Sequence, residues 1–166
     1  MNILVDQVRH NGWANHTVLA AFRHRPEVLE RACYDGDQLL ERAHHLALVE
    51  RGFLDLLREN MVEPEAPRDL EGLLRYSDET GAAFVPAVEP LDEAALTGEL
   101  FVPWWRRSFP RSVLVAQVLS HSSQHRAELA WELARAGIST GELDYIVWTA
   151  GGCPAPGEPL DLCGLS

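Results

Sequence analysis

The chain contains no lysine. All 14 of its basic residues are arginine, set against 25 aspartates and glutamates, and the formal net charge is -11 over 166 residues. So acidic a chain offers no positive stripe to track a phosphate backbone or an anionic lipid surface, and neither nucleic acid nor membrane is an expected partner. Cysteine is scarce: Cys33, Cys153 and Cys163 make an odd, sparse set. Such a set builds no disulfide framework and fits a reducing cytoplasm, the expected location. Cys153 and Cys163 fall in a Gly/Pro-rich tail and carry no expected role. Long apolar runs are also missing. Nothing approaches the roughly 20 apolar residues of a membrane span. Residues 1–10 have no apolar stretch behind a basic start, so no export signal is expected.

What is present is a helical pattern. With 46% hydrophobic residues, one globular domain with a real core is expected over 1–150, followed by the tail 151–166. Apolar positions at Leu4, Val8, Trp13, Val18 and Phe22 predict a first helix over 3–22. Pro26 opens a short helix over 26–33, residues 34–37 form a turn, and Asp37 is the expected N-cap of a strong amphipathic helix over 38–59. Pro64 and Pro67 break that helix. A third helix runs from Asp69 to about Val85, ended by Pro86 and Pro90. One more turn is expected within 91–96. Residues 97–111 carry aromatics without helical spacing and are the one place for extended chain. Pro110 starts the last long helix, which closes at Gly137. A short turn follows within 141–148. Long amphipathic helices with little strand signal point to an all-α four-helix bundle with a short extended or hairpin segment before the last long helix.

His121 and His125 stand four residues apart on that last helix, on the stripe of Leu114, Val118 and Leu129 and bordered by Glu128 and Glu132. Residues i and i+4 stack on one helix face, so two such imidazoles can grip one ion. A third ligand is then expected, because open metal sites usually take three protein ligands. In the adjacent pair, His44 shares its stripe with Leu40 and Ala47, but also with Asp37, Arg51 and Asp55. His45 shares its stripe with Leu48, Val49, Gly52 and Leu56. The second stripe is read as the buried one, which makes His45 the better ligand and leaves His44 solvated. The same spacing also fits core histidines bonded to carbonyls. His10, His16 and His24 occupy surface-like positions and get no site role. Position 122 is serine, so the His-Glu-x-x-His of zinc peptidases is absent. No Gly-x-Ser-x-Gly elbow surrounds Ser120, Ser122 or Ser123, which read as packing residues.

Leu119-Ser-His-Ser-Ser-Gln-His-Arg-Ala-Glu-Leu129, then Gly137-Ile and Leu143-Asp-Tyr-Ile-Val-Trp148, resembles the C-terminal signature of the DinB/YfiT-like metalloprotein superfamily. Asn11-Gly-Trp-Ala-Asn15 resembles that family's first-helix motif. His45-Leu-Ala-Leu-Val-Glu50 resembles its second-helix histidine followed five residues on by glutamate. The resemblance implies a bundle of up-down-down-up type, often dimeric, with His45, His121 and His125 holding a divalent ion, zinc or nickel first. It further implies a metal-dependent enzyme of thiol S-transferase type acting with a low-molecular-weight thiol on a small-molecule substrate. The alternatives are a metal-dependent hydrolase and a non-catalytic metal-binding or stress-response protein whose open position is blocked by a fourth protein ligand, Glu128 or Glu132 first, or by the dimer partner. Ala127 and Glu128 depart from the family's Gly-Gln. Trp104, Trp105 and Tyr145 are expected pocket walls, and Glu41 and Asp144 are expected neighbours of the ligands.

Overall fold

The computed structural model describes residues 2–33, 36–60 and 62–161. Four long helices build the bundle: α1 (Ile3–Ala21), α2 (Leu39–Leu57), α3 (Leu70–Val88) and α5 (Arg111–Arg135). Between the last two lie a short helix α4 (Glu93–Thr97) and an antiparallel hairpin, β1 (Glu99–Val102) with β2 (Arg107–Pro110), paired Glu99 to Pro110 and Val102 to Arg107. A last short helix, α6 (Tyr145–Ala150), leads into residues 151–161. That segment packs back on α1: Trp13 Nε1 donates to Glu158 O and Trp148 Nε1 to Pro154 O. No helix among the described residues is long and apolar enough to cross a membrane.

Contacts along the helices fix their directions. Gly12 meets Gly81, His16 meets Asp78 and Arg23 meets Glu71, so α3 runs antiparallel to α1. Glu41 meets Arg68, Arg51 covers Tyr76 and Arg58 reaches Ala83, so α2 and α3 run parallel. Arg111 meets Glu59 while Ser122 meets Glu50, which sets α5 antiparallel to α2. The bundle is therefore up-down-down-up. A parallel α2–α3 pair requires the chain to return along the bundle before α3 begins. The linker 58–69 can do so, since a 19-residue helix is only about 28 Å long.

Start and stop signals act as the sequence suggests, with local exceptions. Asp69 caps α3, its side chain accepting from Gly72 N at 2.8 Å. Gly137 takes φ +80° after α5, where Ile138 N returns to Leu133 O as in a Schellman end. Pro110 stands at the cap position, with Arg111 the first helical residue. Pro86 does not end α3, which continues to Val88. The N–H that proline lacks would have served the carbonyl of Ala82, and both residues are exposed, so water can take that carbonyl. Asp37 does not cap α2; Gln38 holds that position, with no side-chain bond to the helix. The expected helix over 26–33 is a 3-10 segment, Pro26–Glu30. Tyr34 and Asp35 of the expected turn, and Cys163, lie outside the described residues.

Two apolar clusters fill the bundle. One joins Val18, Leu19, Leu46, Leu73, Leu129 and Leu133. The other joins Val8, Phe53, Leu54, Phe84, Leu114 and Val118. Between them, at the middle of each helix, lies a set of buried polar residues: Asn11, Asn15, Glu50, Ser77, Thr80, Ser122 and Arg126. At the same level α1 and α3 approach closely, because glycine faces glycine. A Cβ on Gly81 would lie 3.2 Å from Gly12 Cα. Gly81→Val should force the two helices apart and cost about 1–3 kcal/mol, read as a lower midpoint in urea. An unchanged midpoint would mean that the helices do not touch there.

Candidate metal centre

Residues one apart on a helix point about 100° away from each other. His121 and Ser122, and likewise His125 and Arg126, therefore face different ways: the serine and arginine turn into the bundle, the histidines toward the groove between α5 and α2. Inside, Ser122 Oγ donates to Glu50 Oε1 at 2.7 Å, and Arg126 Nη1 donates to Asn15 Oδ1 at 2.7 Å. Asn11 bridges the two charges, its Nδ2 donating to Glu50 and its Oδ1 accepting from Arg126. Burial pushes the Glu50 carboxyl up, opposed by Ser122, Asn11 and the Arg126 charge. Burial likewise pushes Arg126 down to about 10, opposed by Glu50. This network ties α1, α2 and α5 together beside the histidines.

In the groove, the Nε2 atoms of three histidines converge. His121 Nε2 lies 3.2 Å from His45 Nε2 and 3.1 Å from His125 Nε2, and the three ligand atoms all fall within 4.8 Å of one another. Two nitrogens bound at roughly 2.0–2.1 Å to a tetrahedral ion would sit about 3.3 Å apart, so these spacings suit one shared ion. The electrostatics agree. Burial first, then the neighbouring His125 and His45, pushes His121 down to about 4 from its ordinary 6.5. The same causes, burial and then His125, lower His45. The rings of His45 and His121 therefore stand neutral at physiological pH with lone pairs available.

His125 is oriented from behind. Its Nδ1 is 2.7 Å from Glu128 Oε2, and Arg42 Nε is 3.4 Å from that same oxygen. Desolvation pushes the Glu128 carboxyl up, but its bonds from His125 and Gln124 and the charges of His125 and Arg42 outweigh this and hold it low. An ionised carboxylate only accepts, so Nδ1 of His125 donates and Nε2 presents its lone pair to the cluster. His121 Nδ1, by contrast, is buried without a hydrogen-bond partner.

The three histidines expected from the sequence thus meet, although one reason for choosing His45 fails. The core stripe of α2 is Ala43, Leu46, Ala47, Glu50 and Leu54, and His45 itself is exposed at the groove. Leu48, Val49 and Gly52 on its stripe line a cavity, although Val49 also packs against the core and Leu56 is buried in it. His44 is half-buried rather than solvated, its Nε2 3.2 Å from Ala66 O. Nor are His10 and His16 surface residues: His10 bonds Leu143 O at 2.7 Å among Trp13, Tyr145 and Trp148, and His16 pairs with Asp78. Glu41 pairs with Arg68, Asp144 precedes α6, and neither touches the cluster's ring nitrogens. Glu132 pairs with Arg135. Among the described residues no fourth side chain joins the three histidines.

The cavity, about 450 Å³, opens beside His45 and His121. Phe53 of α2, Pro64 of the linker, and Trp104 and Trp105 of the hairpin turn wall it, with Glu63 and Gln117 adding polar atoms. Tyr145, an expected wall, packs instead on Trp148 and His10.

Two outcomes follow for variants. Arg126→Met leaves Glu50 buried without its cation and should cost roughly 3–5 kcal/mol, while adding Glu50→Gln should restore part of the loss in the same denaturation curves. Equal stability of wild type and Arg126→Met would remove the network from the fold. In chelated protein, unfolded His121 binds a proton below about 6.5 and the folded residue only near 4. Stability should therefore be full above pH 6.5 and fall as pH drops toward 4. His121→Gln should flatten that fall; an identical pH slope for both proteins would contradict it.

No protein-family model matches the chain, and no curated protein matches it. Among solved structures, the crystal structure of a DinB-like protein from Bacillus cereus ATCC 10987 matches with a TM-score of 0.60 at 16% identity, covering 78% of this chain and 90% of that one. At that identity the likeness speaks for architecture: the bundle has a DinB-like fold.

Proposed function

We propose that this chain is a divalent-metal-dependent enzyme of thiol S-transferase type. The observation that carries the reading is the convergence of three imidazoles beside an open cavity, with no fourth ligand among the described residues. His45, His121 and His125 would hold the ion, and zinc or nickel suits such a set by ligand type. When bound, such an ion supplies Lewis acidity that lowers the pKa of a nearby thiol or water. In the reaction a thiol loses its proton, its sulfur bonds to an electrophilic carbon, and the bond from that carbon to the leaving group breaks. The chain's own residues serve that step by position. Glu128 and Arg42 fix the ring of His125, and the tryptophans and Phe53 keep water from one side of the site. Glu128 is occupied with His125, and Glu132 with Arg135. That disfavours the form of the non-catalytic alternative in which one of these two carboxylates closes the site.

Metal content and turnover test this together. Protein purified without chelator or nickel resin should carry one divalent ion per chain. His121→Ala should lose it and His44→Ala should keep it, the reverse pattern contradicting the assignment. Loaded protein, given several low-molecular-weight bacterial thiols and a chlorinated or epoxide electrophile, should form conjugate faster than the protein-free mixture. Background rates with every thiol would overturn the transferase reading.

A further inference from the structure

We infer that the cavity beside His45 and His121 receives an uncharged aromatic group, the electrophile's body if the centre works as proposed above. The inference rests on that reading only for calling the occupant a substrate; the walls argue for its chemistry on their own. Phe53 is buried, and Trp104 and Trp105 stand against it with ring centroids at 5.6 and 6.0 Å. The two indoles lie 6.1 Å apart in an edge-to-face arrangement, and Phe109 supports Trp105 from behind at 5.5 Å. Rings packed this way present both edges and faces, which favour a further aromatic ring over an aliphatic one of equal size.

Two features separate this wall from a surface accident. Trp104 and Trp105 keep 51% and 49% of their surface exposed, yet the turn that carries them is closely tied. Trp105 N bonds Val102 O, Arg106 N bonds Pro103 O, and Arg106 is held at φ +53°. Val102, at the turn's base, is fully buried. The indoles are thus preorganised for contact, which reduces the ordering cost of binding. Charge selects further. Glu63 is the one carboxylate among the described lining residues and no arginine accompanies it, so in metal-free protein an anionic ring would meet repulsion without a partner. A different cleft on the other side of His45, lined by Asp37, Glu41, Arg42 and Arg68, offers the charged groups that this cavity lacks. Its volume of about 450 Å³ lies within the range that holds small ligands.

Calorimetric titration with three probes of one carbon skeleton tests this. They are 2-naphthol, the anion naphthalene-2-sulfonate and the aliphatic decahydro-2-naphthol. Each is added to the full-length protein as isolated and after removal of metal by chelation. Binding of 2-naphthol is expected in both preparations, with decahydro-2-naphthol at least tenfold weaker in both and naphthalene-2-sulfonate at least tenfold weaker after metal removal. Trp104→Ala should weaken 2-naphthol at least tenfold, whereas Ile146→Ala, which trims an exposed apolar residue away from the cavity, should leave it unchanged. Equal affinity for the three probes, or a Trp104→Ala protein that binds like wild type, overturns the inference. A protein without stoichiometric metal that still binds 2-naphthol through Trp104 upholds the aromatic site while removing the metal-dependent reading, so the two failures are separable.

Discussion

A buried polar layer sets everything else in this bundle. Two apolar clusters, one toward each end, could slide past each other by a turn with little loss, since leucine fits leucine at many offsets. The layer between them cannot. Glu50 needs Ser122 and Asn11, and Arg126 needs Asn11 and Asn15, so one helical offset satisfies all of them and others leave buried charges alone. The ligand histidines are placed by the same registration. His121 and His125 each precede a network residue, and His45 precedes Glu50 by five, so fixing the interior fixes the groove.

The groove then acquires its chemistry from partial exposure. Fully buried imidazoles would need carbonyl or hydroxyl partners, and fully solvated ones would not hold a fixed spacing. Here desolvation and mutual proximity keep His45 and His121 neutral, and the carboxylate of Glu128 aims His125. The ordinary divalent-ion donor set results, with one side left open to an aromatic cavity. Acid residues, abundant elsewhere on this acidic chain, are spent on arginine partners near the site rather than on the ion: Glu41 with Arg68, Glu132 with Arg135.

Much of this was legible in the sequence, and the failures are instructive. Helical period, proline and glycine gave the four long helices, the hairpin before α5 and the end at Gly137. The i,i+4 pair on α5 marked two of the three clustered histidines directly. His45 was reached on a partly wrong ground: Leu56 of its stripe is core, but Leu48, Val49 and Gly52 wall a cavity, and periodicity does not distinguish a cavity wall from a core face. The Glu50–Arg126 network was present only as motif resemblance, although a glutamate on the core stripe of α2 is itself a signal for a buried partner. Pro86 inside α3 escaped because the rule against proline weakens where the freed carbonyl faces water. The second role of Glu128, behind His125, depends on a three-residue step that sequence shows but cannot orient.

X-ray absorption at the metal edge of zinc- or nickel-loaded protein examines the convergence of the histidines most directly. Three imidazole nitrogens per ion at about 2.0–2.1 Å, with one further position filled by a light exchangeable atom, is the expected shell. A shell without imidazole scattering, or one completed by a carboxylate or thiolate of the chain, would contradict it.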